Sequence, residues 1–270
     1  MAEQQFTFRT LTFNDIVDVC AAGLRDFIAA PKYGLFFAGL FVVAGWLVVA
    51  MLFFFNLIYL AYPLAMGFAL VSPFAAVGFY AVSDHLERGV ALSWTAIFQA
   101  IWAAMKRDLR WMALVVGFAL VIWMDIAAIM FFGFMGFNSF GADFIEKLFT
   151  SPIGLLFLAL GNLSGAAIAI FVFSISAISF PLLYDRDIDF VTAMVTSVRL
   201  VIANPVTMIL WCAIIGTLTC LSIASGFLGL FLVLPIIGHA TWHLYRAAIE
   251  PVPVPLEDNS RIAAAGQPER

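Results

Sequence analysis

One acidic residue, Asp125, interrupts an uncharged run that starts after Arg110 and continues to about Phe137. It falls about 14 residues into that run, roughly 20 Å from the basic end at 1.5 Å per helical residue. A carboxylate near the centre of a bilayer costs about 3 kcal/mol, so Asp125 is expected to face a helix bundle, pair, or keep its proton. No Lys or Arg falls at that depth, whereas Thr217 and Thr219 do. Two readings follow: a protonated Asp125 bonded to such hydroxyls, or an intramembrane proton or ion site. His239 and His243 are four residues apart on one helical face, a spacing by which two imidazoles hold a metal or ligate haem. His85 ends another apolar run on the same expected side, with Asp84, Asp185 and Asp187 nearby, a set suited to Zn²⁺, Cu or Fe. The neighbours Trp242, Tyr245 and Arg246 equally suit an aromatic belt with a snorkelling arginine, in which case no cofactor is needed.

Other spacings carry less chemistry. Gly161 and Gly165 form a Gly-x-x-x-Gly step that lets another helix approach, with Asn162 placed to bond across. Asp185, Asp187 and Asp189 precede an apolar stretch and suit the positive end of a helix. Cys20, Cys212 and Cys220 have no metal-ligand spacing, and the last two, on one helix, lie about 12 Å apart, too far for a disulfide. No phosphate loop or zinc-protease motif occurs.

The elements that must position these residues are membrane spans. The chain has 270 residues, 64% hydrophobic and 11% charged, with a mean hydropathy of +1.06, against about 25% charge in soluble domains. That balance excludes a cytosolic enzyme or secreted module, and a net charge of −4 offers no basic face for nucleic acid. Between Lys32 and Asp84 lie 51 uncharged residues, where one crossing needs roughly 20. The full reading is an all-α, polytopic membrane bundle of six transmembrane helices, at about 33–55, 59–83, 111–137, 152–184, 205–222 and 226–247. The fourth, longer than the hydrocarbon core, must tilt, bend near Pro181 or project. Residues 1–12 form an N-terminal segment that lacks the order of a cleavable signal, 13–248 the membrane domain, and 249–270 a disordered cytoplasmic tail. Twelve of the 13 basic residues fall on one side of this topology and Lys147 alone on the other, so both termini are expected in the cytoplasm.

Three stretches, 13–30, 93–108 and 188–203, are too apolar for loops and too short to cross, and read as amphipathic interfacial helices. In the first, Thr12 and Asp15 have capping-box spacing, and Ile16, Val19, Cys20, Leu24, Phe27 and Ile28 share a face. Arg25 precedes Pro31 by six residues, as Arg199 precedes Pro205. Pro73 precedes Tyr80 by seven, as Pro235 precedes Trp242. The chain therefore reads as three parallel repeats of an interfacial helix plus two spans. All three enter from the same side, unlike the inverted repeats of many transporters.

The run Ser179 to Arg199, then Ala203-Asn204-Pro205, then Gly238-His239 to Tyr245-Arg246, resembles a bacterial integral-membrane family, domain of unknown function 2189. The likeness extends from about residue 20 to 248 and is most specific in the second half. It implies a six-span inner-membrane protein of proteobacteria and supplies no catalytic residue. The expected role is a non-catalytic accessory, assembly or scaffolding component whose partners are the lipid bilayer and another membrane protein. The alternatives are a small-solute or proton-coupled transporter using Asp125, and a metal- or haem-binding protein using His239, His243 and His85.

Overall fold

Local signals set the helix boundaries. The Thr12 hydroxyl accepts from the Asp15 amide while the Asp15 carboxylate accepts from the Thr12 amide, a reciprocal capping box that opens α1 (Phe13–Ala29). One residue, Ala30, turns the chain into α2 (Pro31–Phe53), whose first position is proline. A helix at 75–87, α3, follows. Ser93 then caps α4 (Trp94–Lys106) by accepting from the Ala96 amide. Next come α5 (Leu109–Met135), the short α6 (Phe144–Thr150) and α7 (Pro152–Ser176). Pro181 lies in the first turn of α8 (Ser179–Asp185). Its ring would clash with the carbonyl four residues back, which is where the long fourth apolar run breaks. Asp189 caps α9 (Phe190–Ala203), Asn204 turns the chain into α10 (Pro205–Ala224), and α11 (Leu230–Ala248) ends the bundle. This architecture is that of a computed structural model, which describes residues 6–54, 75–136 and 144–249. Among them the one β feature is an isolated antiparallel bridge from Phe8 to Ile249.

Among the described residues, four helical segments are long and apolar enough to cross a membrane: Pro31–Met51, Leu109–Met135, Pro152–Asp185 and Pro205–Ala224. Most of the second expected span, and the tail beyond Ile249, lie outside the described residues. The sixth expected span corresponds to α11, which is not among the four; it carries Pro235, two histidines and Thr241, and much of its surface is buried by protein instead of lipid.

The buried core gathers at one end of the bundle. It takes in Tyr33 and Phe37 of α2, residues 75–82 of α3, Leu109 and Met112 of α5, Leu182 and Leu183 of α8, Trp211 of α10 and Trp242 of α11. The first and last described segments are tied there: Arg9 N–H donates to the Ala248 carbonyl, and the buried Asn204 side chain accepts from Leu11 N–H at 2.7 Å. At the far end the α10–α11 turn uses left-handed backbone at Gly226 and Phe227 (φ 70° and 69°). The Phe227 ring lies over Gly45, where any side chain would collide with it, and Trp46 donates to the Gly226 carbonyl.

Two of the shorter helices, α1 and α9, hold the core end together. α1 lies along α11, and α9 along α7 and α8. Gly23 makes the first contact possible: a Cβ there would sit 2.5 Å from the Ile236 carbonyl oxygen. The buried stripe of α1 is Asp15, Ile16, Val19, Ala22 and Gly23. Leu24 and Ile28, expected on that face, are instead 41% and 67% exposed and share an outward face with Phe13 and Val17. α1 therefore has two apolar faces, one packed on α11 and one turned outward, with Asn14, Asp18 and Arg25 between them. Such a surface suits a helix lying in a membrane interface.

Candidate functional site

Three helices bring four polar side chains together inside the core end. Asp26 comes from α1, Ser83 from α3, and His239 and His243 from successive turns of α11. The Ser83 hydroxyl donates to Asp26 Oδ2 at 2.6 Å, and His243 Nε2 donates to the same oxygen at 2.7 Å. Ser83 Oγ also lies 2.8 Å from His239 Nδ1. Because the hydroxyl proton goes to the carboxylate, His239 must donate from Nδ1, which leaves Nε2 as a lone pair. His239 is fully buried against the Phe79 ring, and its Nε2 has no hydrogen-bond partner among the described residues. Burial pushes the Asp26 carboxyl up, but the hydrogen bonds from His243 and Ser83 outweigh it and hold the group below the ordinary carboxylate value.

The order of these contacts decides their chemistry. In a nucleophilic triad the imidazole lies between hydroxyl and carboxylate and withdraws the hydroxyl proton. Here the hydroxyl lies between, and its proton is already committed to Asp26. The set clamps α1 to α3 and α11 and does not activate Ser83 for attack.

A second network joins the ends of α3, α8 and α11. The Tyr245 hydroxyl donates to Asp185 at 2.6 Å, and Arg186, Arg88 and Arg246 lie 3.1, 4.0 and 4.0 Å from the same carboxylate. Arg88 also pairs with Asp84 at 2.7 Å, and Arg246 with Glu87 at 3.1 Å. Trp242 donates its indole N–H to Glu87. Arg107 donates to the Leu183 and Tyr184 carbonyls, capping α8 with a cation at the negative end of its dipole.

The residues singled out in the sequence are only partly united by the fold. His239 and His243 reach one site, while His85 bonds to the Ala81 carbonyl of its own helix at 2.7 Å. Among the described residues no group of three or more His, Cys, Asp or Glu is arranged to hold a metal. Asp125 is exposed on the outer side of α5, with no hydrogen-bond partner among the described residues. It does not turn toward the bundle, because the residues of α5 buried by protein are Leu109, Met112, Ala113 and Gly117, nearer the core end. Gly165 faces the Trp123 ring of α5, whereas the space beside Gly161 is open. Asn162 bonds to the Leu158 carbonyl of its own helix, not across. Asp26 and Ser83 were not evident as site residues. Asp26 lies three residues beyond Gly23 and continues the buried stripe of α1, a stripe that the packing of α1 on α11 defines and the sequence alone does not.

An all-helical bundle with several bilayer-length apolar helices defines an integral membrane protein. Residues 61–185 match the model of a family described as predicted integral membrane protein, DUF2189. The match takes in α3 to α8 and the first seven residues of the run that carries the resemblance, Ser179 to Asp185. No curated protein and no solved structure matches the chain.

Proposed function

We propose that the chain is a six-span protein of the bacterial inner membrane, with both termini cytoplasmic, acting as a non-catalytic accessory or scaffolding component that docks on another membrane protein. The observation carrying this reading is the outward position of Asp125. Its carboxylate lies on a face of α5 with the exposed Ala128, Ile129 and Phe132, so lipid is its neighbour unless another helix covers it. A partner donor at that depth would offset a cost of about 3 kcal/mol, and Ala128 and Gly133 would let a helix approach closely. Asp26, Ser83, His243, Asp185 and Tyr245, by contrast, are engaged in joining this chain's own helices.

The repeat reading has its own support. Three N-capped helices, α1, α4 and α9, each precede a span, and the turns at Ala30 (φ −136°, ψ 51°) and Asn204 (φ −131°, ψ 54°) share one backbone conformation. A packing order in which each interfacial helix lies on the returning span of the preceding repeat, with α9 on α8 and α1 on α11, would close the bundle into a ring.

Purification from the native membrane in mild detergent tests the function. A membrane protein at fixed stoichiometry, lost in Asp125→Leu at unchanged yield, is the expected result. Loss of a solute uptake activity in Asp125→Asn, with no partner in either sample, would replace this reading with a transporter.

A further inference from the structure

Two outward faces of the bundle complement each other. On α5 the exposed Phe118, Ile122 and Ile129 flank Asp125. On α10 the exposed Ala213, Gly216, Thr217 and Cys220 form a strip of small side chains that carries the Thr217 hydroxyl. A Cβ added at Gly216 would meet nothing within 4 Å. Both helices run outward from the core end. Asp125 is the seventeenth of the 27 residues of α5 and Thr217 the thirteenth of the 20 of α10, so each lies nearly two-thirds of the way along. The sequence places this pair at one depth, yet within the chain no hydrogen bond joins them and both side chains are exposed. No Lys, Arg or His occurs between Lys32 and Asp84 or between Arg110 and Lys147, so neither undescribed internal segment brings a cation to Asp125.

We propose that copies of this chain associate head to tail, the Asp125 face of α5 in one copy seating on the Thr217 face of α10 in the next, with the Thr217 hydroxyl donating to the Asp125 carboxyl. This rests on the reading that a protein helix covers Asp125, and it names that helix. Every copy inserts in the same orientation, and α5 and α10 both run outward, so the two helices lie parallel and their residues match in depth over several turns. The bulky side chains of α5 meet small ones on α10, which lets the backbones approach and the interhelical hydrogen bond form. Any other partner would have to bring a donor to this depth, whereas α10 already carries one. Because the two faces differ, the contact is heterologous. A pair leaves one face open at each end, and the assembly extends beyond two copies until a ring closes.

Disulfide crosslinking in native membranes tests it, with copper phenanthroline as oxidant. Ile129 lies one turn beyond Asp125 and Cys220 one turn beyond Thr217, so Ile129→Cys should form a disulfide with the native Cys220 of the next copy. The expected result is a ladder of covalent multimers of this chain, lost when Cys220→Ser is added and absent with Met112→Cys, whose position is buried. Thr217→Val should weaken the ladder about fivefold, the worth of one interhelical hydrogen bond in a membrane, and Thr217→Ser should keep it. Native mass spectrometry of the unaltered protein in mild detergent needs no variant and should show multimers of the chain alone. No ladder, a ladder that survives Cys220→Ser, or monomers alone would overturn the proposal. If a probe at Ile129 then joins a different protein, the docking reading stands without this one; if it joins no protein, both fail.

Discussion

The Asp26 carboxylate and the His243 imidazole, 217 positions apart in sequence, meet at 2.7 Å. Together with Ser83 they tie the first helix of the chain to the last. Removing one partner leaves a part-buried polar group unsatisfied, which costs about 1–3 kcal/mol. His243→Ala and Ser83→Ala should each lower the thermal unfolding midpoint in detergent and speed proteolysis within α1. Unchanged midpoints would mean that the apolar contact of α1 with α11 is sufficient alone.

Acid should release the same region. The Asp15 carboxyl is held below its usual 3.8 by hydrogen bonds from Thr12, Asp189 is held down by those from Thr192, and Asp26 by those from His243 and Ser83. A carboxyl whose folded pKa lies below its unfolded one stabilises the fold above the unfolded value, and that contribution is lost as pH falls through the folded value. Stability from these groups should be level from neutrality to about pH 5 and fall below about pH 4. Asp26→Asn should flatten its share of that decline, measured as unfolding midpoint against pH.

Gly23→Val tests the seat of α1. Its Cβ would lie 2.5 Å from the Ile236 carbonyl oxygen and 2.7 Å from the Ala240 nitrogen, both backbone atoms that cannot move aside singly. Overpacking of this kind costs about 1–3 kcal/mol or more. The yield of folded protein should fall sharply, whereas Gly216→Ala, where nothing lies within 4 Å, should leave it unchanged.

Asn204→Ala should be the most damaging change at the α9–α10 turn. The side-chain amide accepts from Leu11 N–H and donates to the Arg9 carbonyl at 3.3 Å, so its loss strands the N-terminal segment. A cost of about 1–3 kcal/mol is expected. The equivalent Ala30 makes no such bond through its side chain and should tolerate serine.

Much of this framework was legible in the chain itself. The Thr12–Asp15 box, the proline starts of α2, α7 and α10, and the break near Pro181 are local rules, and the structure follows them. The face of α1 is legible only in part, because α1 has two apolar sides and periodicity alone does not say which is covered by protein. The Asp26–Ser83–His239–His243 site was half visible: the histidines stand out by type and spacing, while a serine in an apolar run and an aspartate on a helix carry no signal until three distant segments meet. Asp125 stands out in the sequence as the one charge in its apolar run, but its outward turn depends on how α5 packs, which one helix cannot reveal.

Asp125 also provides the most direct test of the proposed scaffolding role. A photo-crosslinking amino acid placed at Ile129, one turn from Asp125 on the same exposed face, would be activated in intact native membranes. The expected result is a discrete adduct with one membrane protein, present when Asp125 is intact, lost in Asp125→Leu, and absent when the probe replaces the inward-facing Met112. Adducts with lipid alone, or a protein adduct indifferent to Asp125, would contradict it.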